Sequence, residues 1–358
     1  MPLITECFCD MAIRGNFLKN ILGVDNMGDG GCYFGDTTSP DAANVVVISA
    51  PWSVTSDFGR GATYTPDAII DASLGKEWYD AGSGVSMKGR VATAEIDYNI
   101  QESSEHLGRE AERILRYRAG EEGSTTEYVA RKIAYVNEGF AEMHKSIYTQ
   151  TKHWAERGKS IAVVGGDHSV AFGAVKALSE CKEQLGVLFI DAHADFCREG
   201  EIYTHSHRSI ARQIVEDIDA VAKLVEVGVR DIDATEMEGA LANGKVEIVL
   251  AEKVASARFE GKCWGDICRE IVDKLPHNVY VSLDIDALKI EFCNNTNSPV
   301  PGGMTFDEII YLINCIVASG REIVGCDLSE VVSSLDNKMD AIVGARILAK
   351  MCVAMIKK

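Results

Sequence analysis

The sequence lacks the long apolar run that a membrane-spanning helix requires. No stretch of about 18 consecutive apolar residues occurs in the chain of 358 residues. The first ten residues also lack the basic and apolar segments of a secretory signal. We therefore predict neither a transmembrane helix nor a secretory signal in this sequence.

Basic side chains are scarce compared with acidic ones. The chain has 36 lysines and arginines against 54 aspartates and glutamates, which gives a formal net charge of −18. Such a charge argues against nucleic acid and against an anionic membrane as partners. It suits a small cationic molecule or metal ions, although solubility alone explains it equally well.

Regular cysteine spacing is absent as well. The 11 cysteines are an odd number without the spacing of a disulfide framework, which indicates reduced thiols and a cytoplasmic protein. Low-complexity linkers and internal repeats are also missing. We predict an irregular N-terminal arm over residues 1–43, rich in glycine and aspartate, followed by one main domain over residues 44–358.

Short apolar strands alternate with helical patterns along the main domain. Eight such strands, apolar on both faces and interleaved with helices, predict an α/β fold around a mostly parallel sheet that is covered on both sides. A capping box at Thr305 and Glu308 predicts the start of one helix. Further helices are expected over 67–73, over 103–157 with a break near 120–123, and over 339–356. The strand candidates are 44–50, 91–96, 161–164, 187–190, 224–229, 246–250, 279–283 and 323–327.

Three potential metal ligands follow one of these strands at alternate positions. Asp191, His193 and Asp195 come directly after the apolar residues 187–190. Side chains at alternate positions of an extended backbone point to the same face, and an open parallel sheet places its ligands at the carboxyl ends of its strands. The three side chains are therefore expected to converge on one small volume. The alternative is a strand end whose acids face water and whose histidine is a capping residue.

Polar clusters follow three further strands. His168 stands in a Gly-Gly-Asp-His-Ser turn, and Asp284 and Asp286 end a buried strand at alternate positions. Asp327 and Glu330 close the last strand. If these strand ends are neighbours, one crevice holds several carboxylates and two imidazoles. So many carboxylates cannot all stay ionised together without cations among them.

Two divalent ions that share bridging carboxylates would remove this repulsion. Oxygen and imidazole ligands without a thiolate suit Mn²⁺ better than a structural zinc site. A two-metal site generates hydroxide at neutral pH and holds it against an electrophilic carbon or phosphorus. The spacing therefore favours a binuclear metallohydrolase over the alternative of a structural acidic cluster.

Segments 165–169, 191–195 and 282–286 resemble the signature motifs of the ureohydrolase family, which includes arginase and agmatinase. The resemblance extends from about Asn44 to the C-terminus. It implies a three-layer α/β/α fold with an eight-stranded parallel sheet, an arginase-like catalytic domain, and a homotrimer or homohexamer. It also implies two Mn²⁺ ions per subunit, with Ni²⁺ or Co²⁺ as alternatives, and hydrolysis of a guanidino compound to urea and an amine.

The resemblance further implies a role for each site residue. Asp191 and Asp284 would bridge the two ions, and Glu330 would pair with the guanidinium. His205 would carry protons, as the corresponding histidine does in agmatinase-like members. The alternative for His205 is a surface-loop histidine, since His207 lies only two residues away. The implied metal ligands are His168, Asp191, His193, Asp195, Asp284 and Asp286.

Some substrate-facing segments depart from the family pattern. The usual Asp-Pro is Lys-Ile at 289–290, the usual Gly-Thr-Pro is Asn-Ser-Pro at 297–299, and the usual Asn-Pro is Val-Ser at 332–333. Arginases carry an asparagine where this chain has Cys197, which ranks arginine below simpler guanidino compounds. The changes at 289–290 and 332–333 motivate one alternative, a catalytically silent oligomer with a structural or regulatory role. A third possibility is a deacetylase on a related scaffold, which would use one zinc and fewer aspartates.

The choice of substrate rests on charge. The net charge of −18 and the acidic crevice favour a cation such as agmatine. Arg198 and Arg208 flank the loop expected to cover the substrate and would favour an acid such as 4-guanidinobutyrate, unless they are solvated loop charges or subunit contacts. Guanidine, arginine and formimidoylglutamate are the remaining alternatives.

Overall fold

A parallel sheet forms the middle layer of the molecule. The computed structural model describes residues 31–56, 61–75, 78–121, 123, 125–198, 202–334 and 337–356. The strands in chain order are β1 Val45–Ala50, β2 Tyr79–Asp80, β3 Val85–Ser86, β4 Val91–Thr93, β5 Ser160–Gly165, β6 Leu185–Ile190, β7 Val221–Val227, β8 Val246–Val249, β9 Asn278–Asp284 and β10 Glu322–Ser329.

Eight of these strands form the sheet in the order β4-β1-β5-β10-β9-β6-β7-β8. Every pairing within it is parallel. The eight strands expected from the sequence are all present, and their bounds agree to within three residues. β2 and β3 form a separate antiparallel pair that the sequence analysis did not predict, because two-residue strands leave no periodic pattern.

Helices cover both faces of the sheet. The long helical stretch expected over 103–157 is divided into two helices at the expected break, where Gly120 adopts a φ of 76°. Among the described residues, no helix has the length and apolar character needed to cross a membrane. The helices are α1 Thr65–Ser73, α2 Tyr98–Ala119, α3 Thr126–Ala155, α4 Ala171–Cys181, α5 Ile210–Asp217, α6 Ala234–Ala242, α7 Ala251–Phe259, α8 Trp264–Val272, α9 Phe306–Ala318 and α10 Met339–Ile356.

An apolar cluster lies on each face of the sheet, between the strands and the helices that cover that face. One cluster packs α1, α8, α9 and α10 against one face of the sheet, and the other packs α2, α3, α4 and α5 against the opposite face. The adjacent residues Val45 and Val46 of β1 belong to different clusters, as the alternation of side chains along a strand requires. The expected three-layer α/β/α arrangement is confirmed.

The capping box predicted at the start of α9 is present. The Thr305 hydroxyl accepts a hydrogen bond from the Glu308 N–H at 3.2 Å, and the Glu308 carboxylate accepts one from the Thr305 N–H at 2.8 Å. Each side chain satisfies a backbone donor that the helix itself leaves free. The bounds of α10 also agree with the expected range of 339–356.

The turn after β5 depends on glycine. A Cβ atom built on Gly166 would lie 1.7 Å from the carbonyl oxygen of Trp52, so no other residue fits there without moving the backbone. The N–H of the next residue, Asp167, donates a hydrogen bond to the same Trp52 carbonyl oxygen at 2.7 Å. The Gly-Gly pair therefore lets β5 end against the loop at 51–56 and directs His168 into the sheet edge.

The predicted N-terminal arm is described only from residue 31 onward, and residues 1–30 lie outside the described part. The Tyr33 side chain is buried, and its hydroxyl lies 2.9 Å from the Ser49 hydroxyl of β1. Its N–H donates to the Thr93 hydroxyl of β4 at 2.9 Å. This segment therefore packs on the sheet, while the domain boundary between residues 43 and 44 stays a prediction.

Candidate metal centre and active-site cleft

His168 is the centre of the first group of candidate ligands. Its Nδ1 lies 2.9 Å from Oδ2 of Asp191 and 3.4 Å from Oδ2 of Asp195. Oδ2 of Asp284 lies 3.6 Å from the same nitrogen. Single ligand atoms from His168, Asp191 and Asp284 all lie within 4.8 Å of one another, so one metal ion could contact all three. These residues come from β5, β6 and β9, which lie near one another in the middle of the sheet.

His193 belongs to a second group beside the first. Its Nδ1 lies 3.0 Å from Oδ2 of Asp286 and 3.5 Å from Oδ1 of Asp191. Ligand atoms of these three residues again fall within 4.8 Å of one another. Asp191 thus offers Oδ2 to the first group and Oδ1 to the second, which is the geometry of a bridging carboxylate.

The backbone holds these carboxylates in place. Oδ1 of Asp191 accepts a hydrogen bond from the His193 N–H at 2.7 Å, and Oδ1 of Asp286 accepts one from the Ala192 N–H at 3.1 Å. Asp195 has a φ of 49° and Glu330 has a φ of 58°, in the left-handed region that costs energy for residues other than glycine. The surrounding structure must therefore hold both residues in this conformation beside the cluster.

Burial and mutual repulsion dominate the electrostatics of the cluster. Burial, followed by the charge of Asp191, raises the pKa of Asp195 to about 7 and also raises the pKa of Asp286. Burial and the charges of Asp286 and Asp191 raise the pKa of Asp284 well above its usual value. Burial by itself would lower the pKa of His193. Its hydrogen bonds to Asp191 and Asp286 outweigh this effect and raise the pKa to about 12. Without cations, the group must therefore hold extra protons.

These residues fit two divalent cations. The two groups supply carboxylate oxygens and imidazole nitrogens without a thiolate, which suits Mn²⁺ and related ions. Positive ions in the cluster would replace the protons that the repelling carboxylates otherwise retain. The charge distribution and the shared Asp191 both point to a pair of ions rather than a single one.

Ser282 and Asp327 lie close to the second ring nitrogen of His168. Its Nε2 lies 2.9 Å from the Ser282 hydroxyl and 3.7 Å from Oδ1 of the fully buried Asp327. The imidazole stacks on the Phe189 ring with a centroid distance of 4.4 Å. Partners on the far nitrogen orient a metal-binding imidazole and set which nitrogen faces the metal. Asp327 therefore supports the site without belonging to either ligand group.

Glu330 lies next to the candidate metal ligands. Its Oε1 accepts a hydrogen bond from the His168 N–H at 3.2 Å, and its Oε2 accepts one from the Asn297 side-chain amide at 2.9 Å. Burial, followed by the charge of Asp167, raises the pKa of Glu330 to about 8. A bound cation such as a guanidinium would favour the ionised carboxylate.

The structure does not bring His205 to the cleft. Its ring packs against His144 and Phe172 with centroid distances of 4.8 Å and 5.1 Å. His207 lines the cleft instead, and its Nδ1 lies 2.9 Å from the Thr55 hydroxyl. Proton transfer by His205 therefore stays a prediction, and His207 is the nearby histidine that lines the cleft. A short 3₁₀ helix at His207–Ser209 turns the chain so that the two histidines face different surroundings.

A cleft of about 810 Å³ opens above the candidate metal centre. One wall is acidic, with Asp231, Asp233 and Glu236 following β7, and Oδ2 of Asp231 lies 3.9 Å from Nε2 of His193. Residues 296–300 form another wall, and Arg208 contributes one positive charge. Sequence reasoning missed the acidic wall, although a Gly-Val-Arg-Asp segment at the end of a strand was a signal for it. Among the described residues that line the cleft, negative side chains therefore outnumber positive ones.

The departures from the family pattern lie at different places. The Asn-Ser-Pro segment at 297–299 lines the cleft, whereas positions 289–290 and 332–333 are not among its lining residues. Arg198, one of the two arginines considered as carboxylate ligands, pairs with Glu216 outside the cleft. The altered segments that motivated a catalytically silent protein thus leave the ligand groups intact.

Glu226 is a buried acid beside the site. It lies on β7 with no exposed surface, and neither carboxylate oxygen has a hydrogen-bond partner among the described residues. Burial, followed by the charges of Asp191 and Asp195, raises its pKa well above the usual value. The folded protein therefore holds a proton on Glu226 at a pH at which the unfolded chain has released it.

Replacement of Glu226 by glutamine should change how stability depends on pH. Because the folded pKa is raised, the acid contributes its full stability below pH about 4 and loses it as the pH rises. Relative to Glu226→Gln, the wild type should lose up to about 1.4 kcal/mol of unfolding free energy per pH unit between pH 5 and 7. Equilibrium unfolding in urea at several pH values measures this slope. The exposed Glu238→Gln serves as the control, and equal slopes for all three proteins would contradict the expectation.

Comparison with known proteins agrees with the fold and the site. The architecture is that of a hydrolase with its ligands at the carboxyl edge of a parallel sheet. Residues 43–354 match the model of the Arginase family, and the chain belongs to that family. Its members are amidinohydrolases, so the protein is a hydrolase of carbon–nitrogen bonds in amidines.

Three relatives show the range of similarity. The chain is 27% identical over 300 residues to N(1)-aminopropylagmatine ureohydrolase of Thermus thermophilus, which covers 83% of this chain and 86% of the relative. It is 31% identical over 202 residues to proclavaminate amidinohydrolase of Streptomyces clavuligerus, with coverage of 55% and 62%. Agmatine ureohydrolase of Thermoplasma volcanium has a similar fold, with a TM-score of 0.66, 19% identity and coverage of 96% and 98%.

Proposed function

We propose that the protein is a binuclear manganese hydrolase that cleaves a guanidino amine of the agmatine type to urea and an amine. The observation that carries this proposal is the cleft itself. It has two ligand groups that share Asp191, Glu330 beside them, and the acidic side chains of Asp231, Asp233 and Glu236 on one wall. A guanidinium at one end and an ammonium at the other would meet a carboxylate at both positions.

Six residues would hold the metal ions. One ion would take His168 with Asp191, Asp195 and Asp284, and the other would take His193 with Asp191, Asp284 and Asp286. When bound, two divalent ions lower the pKa of a water molecule so that hydroxide is available at neutral pH. Asp191 would contribute to both sites, since its ligand atoms belong to both groups.

The protein's own groups bind the substrate and move the proton. Glu330 would pair with the guanidinium, as a carboxylate does with a planar fork of N–H donors. During hydrolysis, the bond between the guanidino carbon and the substituted nitrogen breaks, and that nitrogen takes up a proton as the amine leaves. His207 lines the cleft and is the histidine placed to deliver it.

The acidic wall favours an amine over an acid as the tail of the substrate. Among the described residues that line the cleft, Asp231, Asp233 and Glu236 contribute three carboxyl groups against one guanidinium, that of Arg208. A relative of similar length is named for its action on aminopropylagmatine, which carries such a cationic tail. Agmatine and its aminopropyl derivative are therefore ranked above 4-guanidinobutyrate and arginine. Assembly into a homotrimer or homohexamer is part of the same proposal.

Metal analysis combined with a substrate panel tests the function. Protein loaded with Mn²⁺ is expected to bind two ions per subunit and to release urea from agmatine or aminopropylagmatine at the highest kcat/KM. The panel also contains 4-guanidinobutyrate, arginine and guanidine, with formimidoylglutamate scored by release of glutamate. Two bound ions without hydrolysis of any member would favour the silent oligomer, and one bound zinc would favour the deacetylase.

A further inference from the structure

The Asn297 side chain contacts the carboxylate proposed to bind the guanidinium. Its Nδ2 donates to Oε2 of Glu330 at 2.9 Å, and the His168 N–H donates to Oε1 at 3.2 Å. One donor therefore engages each oxygen of Glu330. A carboxylate has about four lone-pair positions, so one remains on each oxygen. The carboxylate is held in one orientation and can still accept two N–H donors.

The loop that carries Asn297 is anchored on both sides. Before it, the Asn295 N–H and side-chain amide donate to the two carboxylate oxygens of Asp340 at 3.0 Å and 3.1 Å. After it, the Arg230 guanidinium donates to the carbonyl oxygens of Val300 and Pro301 at 3.0 Å and 3.2 Å. Asn297 therefore stands beside Glu330 on a fixed piece of backbone rather than on a free loop.

The two ends of an amide have opposite hydrogen-bonding character. Because the NH₂ end of Asn297 donates to Glu330, its carbonyl oxygen remains as an acceptor on a side chain that lines the cleft. The remaining lone pairs of Glu330 and this oxygen together provide three acceptors close to one another. An unsubstituted guanidinium end has two NH₂ groups and therefore enough donors for all three.

We propose that Asn297 is a specificity-determining residue that, together with Glu330, recognises an unsubstituted guanidinium end. This inference rests on the proposed function and deepens it. Asn297 holds the carboxylate through its N–H, and its carbonyl oxygen accepts a hydrogen bond from a substrate N–H. A substrate with a methyl group on the distal nitrogen lacks one of these donors and places a carbon against a polar acceptor.

Kinetics of Asn297→Ala with two substrates test this assignment. The kcat/KM for the best unsubstituted guanidino substrate is expected to fall about 10- to 100-fold, mainly through KM, as for loss of a hydrogen bond to a charged group. For the analogue methylated on the distal nitrogen, used as a substrate or as a competitive ligand, the change is expected to be less than about threefold. Preference for the unsubstituted end should thus shrink in the variant.

The matched control is Asn294→Ala, the same change at an exposed position of the same loop that does not line the cleft. Its kcat/KM should stay within about twofold of the wild type. Asn297→Ser provides a second test if Asn297→Ala does not fold, as judged by its thermal unfolding. Equal losses with both substrates, or an unchanged or improved kcat/KM, would overturn the assignment. Failure of the wild type to release urea would instead count against the proposed function itself.

Discussion

Replacement of Asp191 by asparagine is expected to lower kcat by at least about 1000-fold and to reduce the metal content below two ions per subunit. Asp191 offers one oxygen to each ligand group, at 2.9 Å from His168 and 3.5 Å from His193. An amide has a single acceptor oxygen and no charge, so it cannot bridge two cations. The change is isosteric, which limits its effect on packing.

Metal analysis and urea release measure this effect separately. Asp231→Asn is the control for metal content, because Asp231 lies near His193 but belongs to neither ligand group. Its metal content should equal that of the wild type. Asp191→Asn protein that keeps two ions and full activity would show that the bridge is elsewhere. The test requires that Asp191→Asn folds, and circular dichroism and thermal unfolding check this.

The clustering of the candidate metal ligands was predictable because it depends on local rules. Asp191, His193 and Asp195 follow an apolar strand at alternate positions, and Asp284 and Asp286 repeat the pattern. Continuous apolar runs identified the strands, and the carboxyl ends of parallel strands meet at one edge of the sheet. Each inference needed only a few neighbouring residues. The structure brings these side chains to one place, as the spacing indicated.

The order of the strands could not be read from the sequence. β10 lies between β5 and β9, although it comes last in the chain. This order places Glu330, which follows β10, next to His168, which follows β5, and the Glu330 carboxylate accepts a hydrogen bond from the His168 N–H. Sequence spacing carries no information on contacts between residues 162 positions apart. Only the resemblance to ureohydrolases suggested that Glu330 belongs to the site.

Contacts made by loops were also beyond sequence reasoning. Counting residues from Asp195 pointed to His205, whereas the 3₁₀ helix at His207–Ser209 places His207 at the cleft. The contact between Asn297 and Glu330 likewise depends on how the loop at 295–300 is anchored. A difference of two residues decides which histidine lines the cleft, and spacing rules are not that precise.

Replacement of His207 by asparagine is expected to lower kcat by about 100-fold or more at neutral pH, which is within the range for loss of a general acid or base. The Nδ1 of His207 lies 2.9 Å from the Thr55 hydroxyl, which leaves Nε2 for proton exchange. Burial, followed by the charge of Arg208, lowers the pKa of His207 to about 3, so the imidazole is neutral at pH 7. To carry a proton to the leaving amine, His207 needs a pKa nearer the working pH in the substrate complex than in the free protein.

Three measurements separate this role from a structural one. Added imidazole should restore part of the kcat of His207→Asn, because a free base can replace a missing proton carrier but not a missing packing contact. His205→Asn should lose stability instead, since His205 packs its ring against His144 and Phe172. His153→Asn, at an exposed position near the end of α3, controls for the substitution itself. If His205→Asn loses more of kcat than His207→Asn and is the variant that imidazole rescues, the proton carrier is His205 and the cleft must rearrange to admit it.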